Sequence, residues 1–166
     1  TGVHAGKVDL FANHKVILTP LPSSADWAVQ KLIQLWSVAK AEVICMDVSK
    51  HDEVLAHTSH LPHLMAFNLV EQLANREDNL DIFRYAAGGF RDFSRIAASD
   101  PQMWHDIFFA NKNAILNAVA GFEQQLSVLK QLIENEDSQA LMGLLGHAQA
   151  VRQHFNHMLA KKPLME

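Results

Sequence analysis

The 166 residues are 49% apolar and 19% charged, with a formal net charge of −4. That is enough apolar material for a buried core, and with no lysine/arginine cluster there is no electrostatic reason for nucleic acid to be the main partner. No apolar run approaches the roughly 20 residues that span a bilayer, and the first residues lack the basic-then-apolar pattern of a secretory leader, so no membrane association and a cytoplasmic location are expected. The single cysteine, Cys45, has no intrachain partner, which excludes a disulfide framework; in the apolar run VICMD it is expected to be buried.

In chain order, HKVILTPL (14–21) reads as a short buried strand closed by proline. SSADWAVQKLIQLWSVAKA follows, with a cap signal at Ser23/Ser24 and apolar residues Trp27, Val29, Leu32, Ile33 and Trp36 at helical spacing. AEVICMD is a second apolar strand. Strand, helix, strand predicts a parallel βαβ unit with a right-handed crossover. Two parallel strands do not make a stable sheet alone, so the unit reads as the tail of a larger α/β domain.

From Val48 onward the pattern is helical. The segment from about Ser49 to Asn75 carries Leu61, Leu64, Leu69 and Leu73 on one stripe, with a bend expected at Pro62. A shorter helix from about Leu80 to Ala87 is expected to stop at Gly88-Gly89, where left-handed backbone is easily tolerated. Asp100 caps a new helix with Pro101 in its first turn, and the repeat Trp104, Phe108, Asn111, Ile115, Ala118, Phe122, Leu126, Leu129, Ile133 carries it to about Glu134. Unbroken, it would be roughly 50 Å long. A last helix runs from Ser138 to Ala160. The fold class expected is mostly α: a βαβ remnant of a Rossmann-type domain over 1–47, then an all-helical domain over 48–166. So long an apolar stripe outruns what a small monomer can cover, which predicts a homodimer built on these helices; the alternative is that the last two helices cover each other within one chain.

Three features bear on chemistry. HTSHLPH (57–63) places His57, His60 and His63 at helical spacing. Two imidazoles could share a metal with His51, Asp52 or Glu53, yet nothing like HExxH is present. They could equally form a polar helix face, or line a cleft for an oxygen-rich substrate. The second is AAGGFRDFSRIAASDPQMW (86–104), where Arg91 and Arg95 stand one helical turn apart around Asp92. A guanidinium fork matches a planar carboxylate, and the same residues could instead be an exposed charge cluster. The third is an absence: the chain holds no G-x-G-x-x-G, P-loop or G-x-S-x-G.

HDEVLAHTSHLPHLMAFNLV followed by YAAGGFRDFSRIAASDPQMWHDIFFANK closely resembles the C-terminal helical domain of the prephenate dehydrogenases, including arogenate and cyclohexadienyl dehydrogenases. TSHLPH, GGFRDFSR and SDPxxW in that order and spacing carry the resemblance, which covers nearly all of the chain. It implies an N-terminal Rossmann domain for NAD or NADP joined to a helical dimerisation domain, and an oxidative decarboxylation of prephenate to 4-hydroxyphenylpyruvate, or of arogenate to tyrosine. The family's Gly-rich turn and the H-P-x-A-G segment bearing its catalytic histidine would lie upstream of Thr1. No catalytic residue is therefore assigned within the chain, His4 included, and by itself it is expected to be inactive. By the same resemblance Arg95 binds a substrate carboxylate with Asp92 orienting near it, His60, His63 and Ser59 line the pocket, and Gly88 and Trp104 complete its walls; no metal is implied. Whether Arg95 and Trp104 serve their own subunit or its partner stays open, as do prephenate against arogenate and NAD against NADP. The rival readings are a non-catalytic helical dimerisation or regulatory module and a metal-dependent hydrolase using the histidine run.

Overall fold

The computed structural model describes residues 6, 7 and 9–160. His4 and the tail from Lys161 onward lie outside them. The chain divides into two compact units, Thr1–Ala118 and Val119–Glu166.

The first unit opens with the βαβ unit. Strand β1 (Lys15–Leu18) pairs in parallel with β2 (Glu42–Cys45), in register from Lys15 opposite Glu42 to Leu18 opposite Cys45. The strand is shorter than the apolar run, because Pro20 and Pro22 have no N–H to offer a ladder. Helix α1 (Asp26–Val38) crosses between them, and its N-cap is Ala25 rather than a serine. Ser24 is used one step earlier: its Oγ accepts from the Leu21 N–H at 3.0 Å while its own N–H returns to the Leu21 carbonyl at 2.9 Å, closing the turn before the helix. No residue of α1 is buried, and Trp27 and Val38 are 72% and 85% exposed. Cys45, expected inside, is exposed as well. With two strands and one helix there is no layer to cover the far face, so apolar side chains patterned for a larger sheet stay open.

The helical region begins with α2 (Val48–Leu55), continues through a single π-helical turn (Ala56–His60), and runs into α3 (Leu61–Ala74). The expected bend at Pro62 is thus a widened turn just before it. The Leu61 N–H reaches back five residues to the Ala56 carbonyl, which accommodates one extra residue ahead of the proline. The Thr58 hydroxyl donates to the Val54 carbonyl at 2.7 Å within the same stretch. Fully buried alanines, Ala56 and Ala66, mark where backbone packs closest.

Helix α4 (Asn79–Arg84) is followed by α5 (Gly88–Ser94) and a 3-10 turn (Arg95–Ala98), and both of the latter pack on α3. Gly88 and Gly89 therefore start a helix instead of ending one. The stop falls earlier, at Tyr85, and neither glycine needs left-handed backbone. Helix α6 (Pro101–Ala110) starts as expected, the Asp100 carboxylate accepting from the Met103 N–H at 2.8 Å. The single long helix is not observed: α6 breaks at Asn111 (φ −109°, ψ 32°), and α7 (Lys112–Glu134) continues beyond it. The apolar period runs through the break because it costs only one residue of register. Trp104, Asn111, Ile115 and Ala118 are its buried members in this unit.

In the second unit the end of α7 turns at Glu136 (φ 52°) into α8 (Ser138–Ala160), whose first turn is capped by Asp137 accepting from the Ala140 N–H at 3.0 Å. The two helices do not cover each other. Leu126 and Ile133 on α7 and Met142, Leu145, Val151 and Phe155 on α8 are all exposed.

Replacing Asp100 by alanine should lower stability by about 1 kcal/mol, as loss of an N-cap does. Urea unfolding of the two proteins checks this, and an unchanged midpoint would mean that Pro101 alone suffices to start the helix.

Candidate functional site

The π-helical turn sets the site. It carries Ser59 and His60, and His63 follows one turn later at the head of α3. His60 is buried at 8% exposure, His63 is half-buried and His57 is exposed. The His63 Nδ1–H donates to the Ser59 carbonyl at 2.9 Å. A carbonyl can only accept, so the proton of neutral His63 sits on Nδ1 and its Nε2 carries the lone pair.

Trp104, from the first turn of α6, closes over both rings. Its indole stacks on His63 at 3.7 Å between centroids and 22° between planes, and meets His60 edge-on at 6.1 Å. Phe108, one turn along, backs the indole at 5.5 Å. Trp104 is only 6% exposed, and its Nε1–H has no acceptor among the described residues. A buried indole donor left unpaired costs about 1–3 kcal/mol, so an acceptor supplied by a ligand or partner is favoured there.

Sequence reasoning missed Asn111 as a site residue. It is buried at 9% exposure where α6 breaks, and its Nδ2 lies 2.8 Å from the Asp52 carbonyl and 3.2 Å from His60 Nδ1. The signal was present, since a polar amide occupied a core position of an otherwise apolar repeat. The structure thus brings together Ser59, His60, His63 and Trp104, and adds Asn111 and the backbone of Asp52.

Gly88, Asp92 and Arg95 sit on the neighbouring α5 and 3-10 turn, and all three are exposed. A Cβ at Gly88 would meet nothing within 4 Å, so no packing within the chain requires glycine there. Neither arginine of the segment forms an ion pair with Asp92 among the described residues, which leaves the Arg95 guanidinium without a counter-charge. Among those residues no group of three or more His, Cys, Asp or Glu could hold a metal ion. A hollow of about 450 Å³ beside the buried amide is lined by Ser49, Asp52, Glu53, His57, Asn113 and Asn117.

Burial holds the His60 imidazole below its ordinary pKa, with Asp52 opposing and the neighbouring His51 and His63 adding to the lowering. A family description, prephenate dehydrogenase, dimerization domain, matches residues 47–147, which include every one of these side chains. The chain belongs to the prephenate dehydrogenase family. It is 36% identical over 153 residues to a cyclohexadienyl dehydrogenase of Zymomonas mobilis, covering 91% of this chain and 52% of that protein. It is 38% identical over 142 residues to a prephenate dehydrogenase of Bacillus subtilis, covering 85% and 38% respectively. The crystal structure of the Aquifex aeolicus prephenate dehydrogenase in complex with hydroxyphenyl propionate and NAD+ superposes with a TM-score of 0.86 at 38% identity, over 93% of this chain and 54% of that one. The chain spans about half the length of these relatives or less.

The depressed pKa of His60 fixes the sign of a pH effect. The unfolded chain takes up this proton at a higher pH than the folded one, so stability is complete above the ordinary histidine range, about 6.5, and falls as the pH drops through it toward the lower folded value. Urea midpoints of wild type should decline between pH 7 and pH 5, and His60→Gln should flatten part of that decline; a parallel decline in both proteins would assign the loss to other groups.

Proposed function

We propose that this chain is the helical substrate-binding and dimerisation portion of a prephenate-type dehydrogenase, in which hydride passes from the ring carbinol of prephenate or arogenate to NAD or NADP and the ring carboxylate is lost. One observation carries this reading: a buried indole N–H with no acceptor among the described residues closes over two imidazoles held by hydrogen bonds, in a chain of the prephenate dehydrogenase family, while Arg95, without a counter-charge among the described residues, sits on a 3-10 turn that packs on the same helix α3. The donors suit a ring substrate bearing carboxylates. Arg95 would hold one carboxylate, with Asp92 orienting it. His60, His63, Ser59 and Trp104 would form the wall on which the ring lies, and Gly88 would leave room at its edge. The domain boundary of this reading falls at 47/48, between β2 and α2.

The cofactor's phosphates are not accommodated by the residues present. The connection after β1, TPLPSSA, contains no glycine and so cannot bring backbone N–H groups close to a pyrophosphate. The phosphate cradle and the residue that takes the hydroxyl proton are assigned to sequence outside this chain, and the isolated chain is inactive in this reading.

The homodimer rests on the second unit. Ile133 and Met142 are 62% and 67% exposed, and with Leu126, Leu145 and Val151 they leave apolar residues on both helices uncovered, which a second copy of the same helices would bury.

In the complete enzyme Arg95→Ala should raise the KM for prephenate by roughly tenfold or more, with kcat reduced less, when NADH formation is followed; an unchanged KM would reject the carboxylate role. Met142→Glu combined with Leu145→Glu should convert the dimer to monomer in light scattering, and a dimer that persists would move the interface elsewhere.

A further inference from the structure

We infer that Asn111 is a positioning residue that locks His60 as a neutral imidazole with its proton on Nε2. The inference deepens the substrate-pocket reading above and rests on it for its functional meaning, but the lock itself follows from hydrogen-bond polarity alone.

The Asp52 carbonyl can only accept, so the atom of Asn111 at 2.8 Å from it is the amide nitrogen, a donor. The same nitrogen stands 3.2 Å from His60 Nδ1. With one N–H committed to the carbonyl, the other is left for the ring, and Nδ1 must accept. The His60 proton then resides on Nε2. Protonating Nδ1 would set N–H against N–H, and turning the amide over would set its oxygen against the Asp52 carbonyl. Each rearrangement breaks a buried hydrogen bond, since His60 and Asn111 are 92% and 91% removed from solvent, taking the complements of their 8% and 9% exposures. Among the described residues the charged and titratable groups acting on His60 are Asp52 and His51 from α2 and His63 from α3, and of these Asp52 alone favours a charged ring.

Because His63 is held in the opposite tautomer by the Ser59 carbonyl, the two rings have opposite polarity at Nε2: His60 donates and His63, when neutral, accepts. In a pocket for a carboxylate-bearing ring, His60 is thereby a donor to a substrate oxygen that keeps its proton throughout the range in which a free imidazole titrates.

Long-range proton–nitrogen NMR of the chain carrying 15N-histidine reads the tautomer directly, with the His60 signals assigned by their loss in His60→Gln. Wild type at pH 7 should show His60 protonated at Nε2 and bare at Nδ1, which needs no Asn111 variant; the reverse tautomer or an even mixture overturns the lock. In Asn111→Asp the carboxylate accepts, so the proton should move to Nδ1 and the titration midpoint should rise by about one pH unit or more. In Asn111→Ala the two tautomers should mix. If the other histidine signals report an intact fold and both variants keep the wild-type His60 signature, Asn111 does not set it. None of these readings involves substrate, so failure of the lock and failure of the Arg95 assignment are separate results.

Discussion

One buried amide ties the site together. Asn111 bridges the last turn of α2, through the Asp52 carbonyl, to the π-helical turn, through His60, from a position at the junction of α6 and α7. The His60 ring is fixed from one side by that bond and from the other by the edge-on indole of Trp104, seven residues earlier on the same pair of helices. A buried polar group of this kind is stabilising only while all its partners are in place, so the position of α6 against the histidine turn is held to hydrogen-bond tolerance.

The irregular backbone serves the same end. A regular helix through 48–74 would carry Pro62 into the carbonyl four residues before it, and the wide turn relieves that conflict while placing Ser59 and His60 where an extra residue displaces them from the regular stripe. The run 101–134 is likewise irregular at Asn111 (φ −109°, ψ 32°), the residue whose amide meets Asp52 and His60. Both departures from regularity occur at site residues, where local rules are expected to yield to function.

Much of the fold was legible in the sequence because it rests on local chemistry. Proline after an apolar run ended β1, Asp100-Pro101 started α6, and the alternation of strand, helix, strand fixed the parallel pairing of β1 and β2. Other features failed for identifiable reasons. Gly88-Gly89 was read as a stop because glycine is common there, but the pair opens α5 in ordinary backbone with open space around it. Ser24 looked like a helix cap and spends its oxygen on the preceding turn. Cys45 was read as buried on its apolar neighbours, which is valid only when a layer exists to bury them.

Of the candidate site, the sequence by itself determined the residue types and their order: the imidazole run, the arginine with its aspartate, the tryptophan after Ser-Asp-Pro, and the family they mark. These are properties of spacing along one strand of chain, which helical periodicity converts into shared faces. Tertiary structure alone decided that Trp104 stacks on His63, that its indole N–H is buried without a partner among the described residues, and that Asn111 reaches across 51 positions to set the proton of His60. Hydrogen-bond polarity depends on which atoms meet, and residues so far apart in the chain meet only through packing.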